Sequence, residues 1–339
     1  MTRPFTTDAF DYVLPPDRIA QQPVEPRDSA RLLVLERATG ALSDRIVRDL
    51  PALLRPGDCL VVNDTRVLPA RLQGRRPSGG RVELLLLRRR GDQQWEALVR
   101  PARRLRAGES IELAGGTHAR IVEEGEGGVR LIALEDEAAA LASGQVPLPP
   151  YITQPLSDPE RYQTIFARVP GSAAAPTAGL HFTPALLDQL AERGILRVTI
   201  TLHIGLATFR PVKEPDPRQH RLHREWYQVT PEAATAINAA RAAGGRVVAV
   251  GTTTVRTLES AADEQGVVHP GTRETDLFIL PGYRFRAIDA LLTNFHLPRS
   301  TLLMLVAAFA GREAVLAAYQ HAIAAGYRFY SFGDAMLVL

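Results

Sequence analysis

Three histidines stand in segments otherwise made of small or apolar residues. His181 ends the run at residues 173–181, His203 follows Thr201-Leu202, and His296 lies within Thr293-Asn294-Phe295-His296-Leu297-Pro298. An imidazole titrates near neutrality and can give or take a proton, so three at comparable strand or loop ends point to a shared acid–base site. Each alone also reads as a hydrogen-bonded core histidine. Other polar groups recur in similar places. Asn63-Asp64-Thr65-Arg66 ends an apolar run and is either an Asx-type turn or the polar wall of an interdomain cleft. Gly251-Thr252-Thr253-Thr254 joins the run 246–250 to a helical stretch. Free N–H groups there would meet an anion or a ligand carboxylate, or the threonines simply cap a helix. His220-x-x-His223-x-Glu225 has three metal-ligating residue types, but Arg218, Arg221 and Arg224 oppose a cation, so these residues either read an anionic or polar ligand or fix a loop.

Familiar signatures are absent. No Walker loop, paired CxxC, G-x-S-x-G elbow or strand-borne G-x-G-x-x-G occurs, which argues against a conventional nucleotide-fold methyltransferase. The single cysteine, Cys59, excludes an internal disulfide framework. No apolar run reaches the roughly 18 residues of a membrane span, and no signal-peptide pattern opens the chain, so a cytoplasmic protein is expected. With 339 residues, 45% hydrophobic and 23% charged, the composition is that of a globular chain of about two domains. Net charge is +3, but its distribution is uneven. Residues 66–106 hold twelve arginines against Glu83, Asp92 and Glu96, while residues 107–140 hold eight acids against Arg120 and Arg130. The basic stretch is either a phosphate-facing surface or a solvated face whose charges cancel in space.

The elements that must position these groups change character along the chain. Residues 31–35 read as a strand turning through Ala38-Thr39-Gly40 into another, residues 44–54 have helical spacing, and residues 59–63 are a short buried strand. Six short runs follow, at 67–72, 81–87, 95–100, 110–113, 118–123 and 128–134, separated by glycine-bearing turns with almost no helix. They predict a small antiparallel β-barrel spanning 66–149, closed by the stiff Pro147-Leu148-Pro149-Pro150-Tyr151 and inserted into a larger α/β domain formed by 1–65 and 150–339. In the second part, helices are expected at 183–193, 231–243, about 255–264, 300–310 and 313–325, and strands at 196–204, 246–250 and 290–295, with an extended tail.

Taken together, these strings resemble the S-adenosylmethionine:tRNA ribosyltransferase-isomerase family of queuosine biosynthesis. The resemblance is carried by Val62-Asn63-Asp64-Thr65-Arg66-Val67 and by residues 147–151, 174–182, 201–209, 251–260, 293–309 and 327–336, in the family's order along nearly the whole chain. Gly205-Leu206-Ala207 departs mildly, where a more glycine-rich turn is expected. The resemblance implies a two-domain monomer with a β-barrel inserted in an α/β domain. It implies S-adenosylmethionine as a ribosyl donor and co-substrate, with no permanently bound cofactor and no metal. The acceptor it implies is 7-aminomethyl-7-deazaguanine (preQ1) at the wobble position of tRNAs with GUN anticodons, those for aspartate, asparagine, histidine and tyrosine. The products would be epoxyqueuosine-tRNA, adenine and methionine.

That chemistry needs a base for the ribose C5′ proton beside the sulfonium, an acid for adenine, a holder for the methionine carboxylate and exclusion of water. His181, His203, His296 and Asp64 are the catalytic candidates. Asn63, Arg66, Thr177, Thr208, His220, His223, Thr252, Thr253, Arg256, Glu259, Asn294 and Asp334 are the substrate-binding candidates, with Arg256 and the threonine turn for the carboxylate. Glu259 is either a ribose-hydroxyl acceptor or a helix-face carboxylate, and Asp334 either lines the pocket or caps a turn. Arg75, Arg76, Arg88, Arg89, Arg90, Arg103 and Arg104 are the tRNA-binding candidates.

Overall fold

The computed structural model describes residues 6–205 and 211–339; Thr208 lies outside the described residues. The chain divides into two compact units, one of Met1–Thr65, Pro150–Val169 and Pro176–Leu339 and the other of Arg66–Pro149 and Pro170–Ala175.

In the larger unit, β1 (Arg31–Leu35) turns into β2 (Leu42–Ile46), and a short 3-10 turn leads to α1 (Leu50–Leu53) and β3 (Cys59–Asn63). The helix expected at 44–54 is therefore mostly strand and turn. The run 42–46 is taken as an edge strand by β1, with Leu33 opposite Asp44, and the Asp49 carboxylate accepts from the Ile46 N–H at 3.1 Å to start the turn.

The smaller unit begins in β4 (Thr65–Val67) and continues through β5 (Arg71–Arg75), β6 (Arg81–Gly91), β7 (Gln94–Arg100), β8 (Ser110–Leu113), β9 (His118–Glu124) and β10 (Val129–Leu134). Strands β5 to β10 close into an antiparallel barrel in the order β10-β7-β6-β5-β8-β9. The run expected as one strand at 67–72 is broken, because Pro69 has no N–H for a ladder. Alternate residues such as Leu72, Val82, Leu84, Trp95, Ala97, Ile111, Ile121 and Ile132 fill the barrel interior. A helix that the pattern did not suggest, α2 (Glu137–Ala142), is capped by Asp136, whose side chain accepts from the Ala139 N–H at 3.0 Å.

The chain continues through β11 (Val169–Ser172), which pairs with β4, then α3 (Pro184–Glu192), β12 (Leu196–Leu202), β13 (Glu225–Val229), α4 (Pro231–Ala242) and β14 (Val247–Val250). It ends with α5 (Thr252–Ala261), β15 (Gly271–Thr275), β16 (Ala290–Asn294), α6 (Thr301–Ala310), α7 (Arg312–Ala324) and β17 (Ala335–Val338). Thr-Pro pairs start α3 and α4, the threonine hydroxyls accepting from Leu186 and Ala233 N–H at 3.2 Å each. A nine-stranded sheet runs in the order β15-β13-β12-β3-β14-β16-β17-β1-β2. Its central strands β3, β14, β16 and β17 are buried along their length, which is why they read as continuous apolar runs. Strands β13 and β15 escaped the sequence pattern. They form an antiparallel polar edge, Glu-Trp-Tyr-Gln-Val against Gly-Thr-Arg-Glu-Thr, where the hydrophobic signal is weak. Among the described residues no single helix is long and apolar enough to cross a membrane, and α6 and α7 bend apart by 114°.

Candidate functional site

Strands β12, β3, β14 and β16 are neighbours and mutually parallel. Their carboxyl ends therefore lie along one edge of the sheet, and they deliver His203, Asn63-Asp64, Gly251-Thr252-Thr253 and Asn294 in that order. Strand β17 is antiparallel to β16 with Asn294 opposite Ala335, so Asp334 arrives at the same edge. This is the edge at which open α/β sheets bind ligands.

Asn294 is the hub of one group. Thr177, in the 3-10 turn Thr177–His181, donates its hydroxyl to Asn294 Oδ1 at 2.9 Å. That contact orients the amide, whose Nδ2 donates to the Tyr330 carbonyl at 3.2 Å and to His181 Nε2 at 3.2 Å. His181 Nε2 is thus an acceptor, and the neutral ring carries its proton on Nδ1. Burial, with a smaller push from the cationic Arg27 and Arg328, lowers the His181 pKa to about 3.

His296 lies on the other face of the strand end from Asn294. Its Nε2 bonds the Thr293 hydroxyl at 2.8 Å. Thr293 and Asn294 are successive strand residues and point to opposite faces of the sheet. Burial lowers the His296 pKa to about 3. His203 is the third imidazole. Its Nδ1 bonds the Thr65 hydroxyl at 2.8 Å, and the ring stacks on Trp226 with centroids 4.7 Å apart. Burial lowers its pKa to about 4, opposed by the nearby Asp64 carboxylate. All three rings are therefore neutral at neutral pH, suited to accept or share protons rather than to act as standing acids. Among the described residues no hydrogen bond joins one imidazole to another.

The stack gives a direct test. In a Trp95→Phe background Trp226 is the sole indole, and its fluorescence is expected to be quenched on protonation of His203 with a midpoint near 4. A midpoint near 6.5, or a transition that persists in His203→Gln, would contradict the environment described for this ring.

The remaining expected site residues have visible partners. Asn63 Oδ1 accepts from the Leu202 and Thr65 N–H groups at 3.1 Å each, and its Nδ2 donates to the Leu202 carbonyl at 3.0 Å. Asp64 is buried, accepting from the Thr201 hydroxyl at 2.6 Å and from the exposed Arg168 at 2.8 Å. It orients neighbours rather than presenting a free carboxylate. Gly251 has φ +87°, a conformation that turns β14 straight into α5, so the helix begins at Thr252 rather than near 255. Thr254 bonds back to the Val250 carbonyl at 2.7 Å, while Thr252 and Thr253 are buried in the first turn. Arg66 is half-buried in β4.

Three more of the expected residues are held by protein partners. Arg256 is buried against Glu225 and donates to the Leu277 carbonyl at 3.0 Å, so the carboxylate it meets belongs to the protein. Glu259 accepts from the Arg286 and Ala287 N–H groups at 3.0 Å each and from the Tyr283 hydroxyl at 3.2 Å. It fixes that loop rather than a ribose, even though burial raises its pKa. Asp334 is the turn cap of the two readings, accepting from the Arg31 and Arg328 N–H groups at 3.0 and 2.7 Å. The His-x-x-His-x-Glu residues disperse. His220 meets Glu214 at 2.9 Å, His223 is exposed and Glu225 joins Arg256. No group of three or more metal-ligating side chains gathers among the described residues.

Some of the barrel's arginines are paired with carboxylates and others are not. Arg76 meets Glu109 at 2.5 Å, Arg89 meets Glu137 at 3.1 Å and Arg90 meets Glu96 at 2.5 Å. Arg88 is half-buried. Arg75, Arg103 and Arg104 are exposed, with no ion pair among the described residues. Sequence reasoning missed the partners Arg168 and Trp226, which sit in segments with no one-sided pattern of their own.

The family model described as queuosine biosynthesis protein matches residues 7–338. The chain belongs to the queuosine biosynthesis protein family. Among family relatives, proteins named S-adenosylmethionine:tRNA ribosyltransferase-isomerase are 58% identical in Symbiobacterium thermophilum over 336 residues, covering 97% of this chain and 98% of the relative. The counterpart in Moorella thermoacetica is 58% identical over 339 residues, covering 98% and 99%. The crystal structure of S-adenosylmethionine tRNA ribosyltransferase from Thermotoga maritima is similar with a TM-score of 0.57 at 41% identity, covering 98% of this chain and 100% of that one. Fold and family agree with the resemblance drawn from the sequence strings.

Proposed function

We propose that this chain transfers and isomerises the ribosyl moiety of S-adenosylmethionine onto 7-aminomethyl-7-deazaguanine at the wobble position of tRNAs with GUN anticodons, yielding epoxyqueuosine-tRNA, adenine and methionine. The observation that carries this reading is full-length identity of 58% to relatives bearing that activity in their names. The sheet edge supplies groups of the right kind. His203 Nε2 and His296 Nδ1 carry no hydrogen bond among the described residues, so each keeps hydrogen-bonding capacity that a substrate could use. In the tautomers that donate to Thr65 and Thr293, both open nitrogens are lone pairs able to take a C5′ proton. His181 offers a fixed Nδ1–H donor. The first turn of α5, at Thr252 and Thr253, is the holder for the methionine carboxylate. No metal enters this reaction, and S-adenosylmethionine is consumed rather than permanently bound. The enzyme acts as a monomer in the cytoplasm.

The decisive assay incubates the protein with S-adenosylmethionine and tRNA carrying the aminomethyl base and follows adenine, methionine and the modified nucleoside by mass spectrometry. All three are expected to appear in step; S-adenosylhomocysteine in their place would overturn the reading in favour of methyl transfer. The arginine partners make a second expectation. Arg103→Glu with Arg104→Glu should weaken tRNA binding and reduce the slope of log K against log salt by about 1 per lost phosphate contact. Arg89→Glu with Arg90→Glu should do less, since both cations already face carboxylates. Unchanged tRNA affinity and salt slope in the Arg103→Glu, Arg104→Glu variant would remove both residues from the tRNA surface.

A further inference from the structure

We propose that Tyr12 and Tyr319 are positioning residues for His296, two hydroxyls from distant parts of the chain that hold both main-chain polar groups of that one residue. This rests on His296 belonging to the proposed reaction site.

The His296 N–H donates to the Tyr319 hydroxyl at 2.9 Å, and the Tyr12 hydroxyl donates to the His296 carbonyl. Strand β16 ends at Asn294 and α6 begins at Thr301, so neither a ladder nor a helix provides for these groups. Main-chain groups in such a connection usually find water or a neighbouring turn. Here two tyrosines meet them, one on α7 and one on the N-terminal segment, with rings edge-on at 5.2 Å. Phe295 and Phe329 complete the aromatic packing around Tyr319, at 5.2 and 5.9 Å between centroids. Phenylalanine would fill the same ring space at either position. Beyond ring packing the hydroxyls bond the His296 backbone, that of Tyr12 also sharing a hydrogen bond with the Tyr330 hydroxyl, and burial raises both phenol pKa values, which keeps them protonated.

The arrangement leaves His296 one degree of chemical freedom. Its backbone is held at both ends, Nε2 is held by Thr293, and only Nδ1 is open. The N-terminal segment that brings Tyr12 is itself tied to the same connection. The Arg299 N–H donates to the Phe10 carbonyl at 3.0 Å, and the Arg299 side chain lies 3.5 Å from both Asp8 and Asp11. Reactive groups must be held within a fraction of an ångström of productive geometry, and a loop histidine needs support from outside the loop to achieve it.

The test uses Tyr12→Phe, Tyr319→Phe and the double variant in the full chain. Each single variant is expected to lower kcat about tenfold with the KM for S-adenosylmethionine unchanged, the pattern of lost transition-state alignment. In protein carrying ¹⁵N-imidazole histidine, the His296 signal, assigned by its absence in His296→Gln, is expected to shift or broaden in the double variant while those of His181 and His203 stay in place. Folded variants with wild-type kcat and an unmoved His296 signal overturn the proposal. So does a fall in kcat accompanied by equal movement of all three histidine signals, which marks a general loss of structure. Because the signal is read without turnover, a wild type that forms no epoxyqueuosine but shows the selective shift would refute the reaction while leaving the positioning role standing. Should the double variant not fold, Tyr12→Phe alone carries the same comparison.

Discussion

Arg256→Met is expected to lower the unfolding free energy by about 3–5 kcal/mol, since it leaves a buried carboxylate without its cation. The side chains of Arg256 and Glu225 are 2% and 4% exposed, so water cannot replace the lost partner. The guanidinium also donates to the Leu277 carbonyl, which loses that bond with it. Urea denaturation should show a lower midpoint with an unchanged slope, and adding Glu225→Gln should recover part of the loss by removing the stranded charge. A midpoint equal to wild type would mean that the pair does not hold α5 to β13. The consequence reaches the site, because Glu225 also accepts from the Gly205 N–H at 2.8 Å, two residues beyond His203. A free cationic fork for a ligand, which the residue type suggested, would instead have been removed at little cost to folding.

His181→Ala is expected to reduce turnover by about 10²–10⁴-fold, the range for loss of a positioned proton-transfer group. The protein should remain folded, because Asn294 keeps its bonds to Thr177 and the Tyr330 carbonyl. Turnover within a few-fold of wild type would remove His181 from the reaction. The same variant tests the electrostatics. Burial depresses the folded-state pKa of His181 to about 3, below the ordinary value of 6.5. Above pH 6.5 the ring is neutral both folded and unfolded, so it adds no pH dependence. As pH falls below 6.5, the unfolded wild type takes up a proton that the folded protein refuses, and wild type loses about 1.4 kcal/mol per pH unit from this residue. The variant lacks that loss. The stability gap between wild type and variant should therefore narrow between pH 6.5 and 4, and a constant gap would show that His181 titrates as an ordinary histidine.

Much of the architecture was legible because it is written in near-neighbour pattern. Continuous apolar runs at 59–62 and 247–250 announce strands covered on both faces, and Thr-Pro starts announce α3 and α4. The alternation in residues 81–134, punctuated by glycine turns, announces a barrel. The misreadings have equally local causes. Residues 42–46 have too weak a period to separate strand from helix until β1 takes them as a partner. The polar strands β13 and β15 lack the one-sided hydrophobic signal because they form the edge of the sheet.

The candidate site divides along the same line. Residue type and strand-end position were enough to single out His181, His203, His296, Asn63 and Asn294, because a polar group inside an apolar run is visible without a partner. Which atoms those groups meet was not visible. Arg256 and Glu259 have the same residue types whether they bind a ligand or the protein, and only the fold brings Glu225 and the Arg286 and Ala287 N–H groups against them. The bond from Asn294 to His181 spans 113 residues and that from Tyr12 to His296 spans 284, separations over which no periodicity carries information. By itself the sequence determined most of the element types, the apolar cores and which side chains are candidates for the reaction. Tertiary structure alone decided which nitrogen of each imidazole is bonded to the protein, which cations are already paired, and that four parallel strands end together. Those facts depend on through-space contacts between residues that local chain geometry leaves independent.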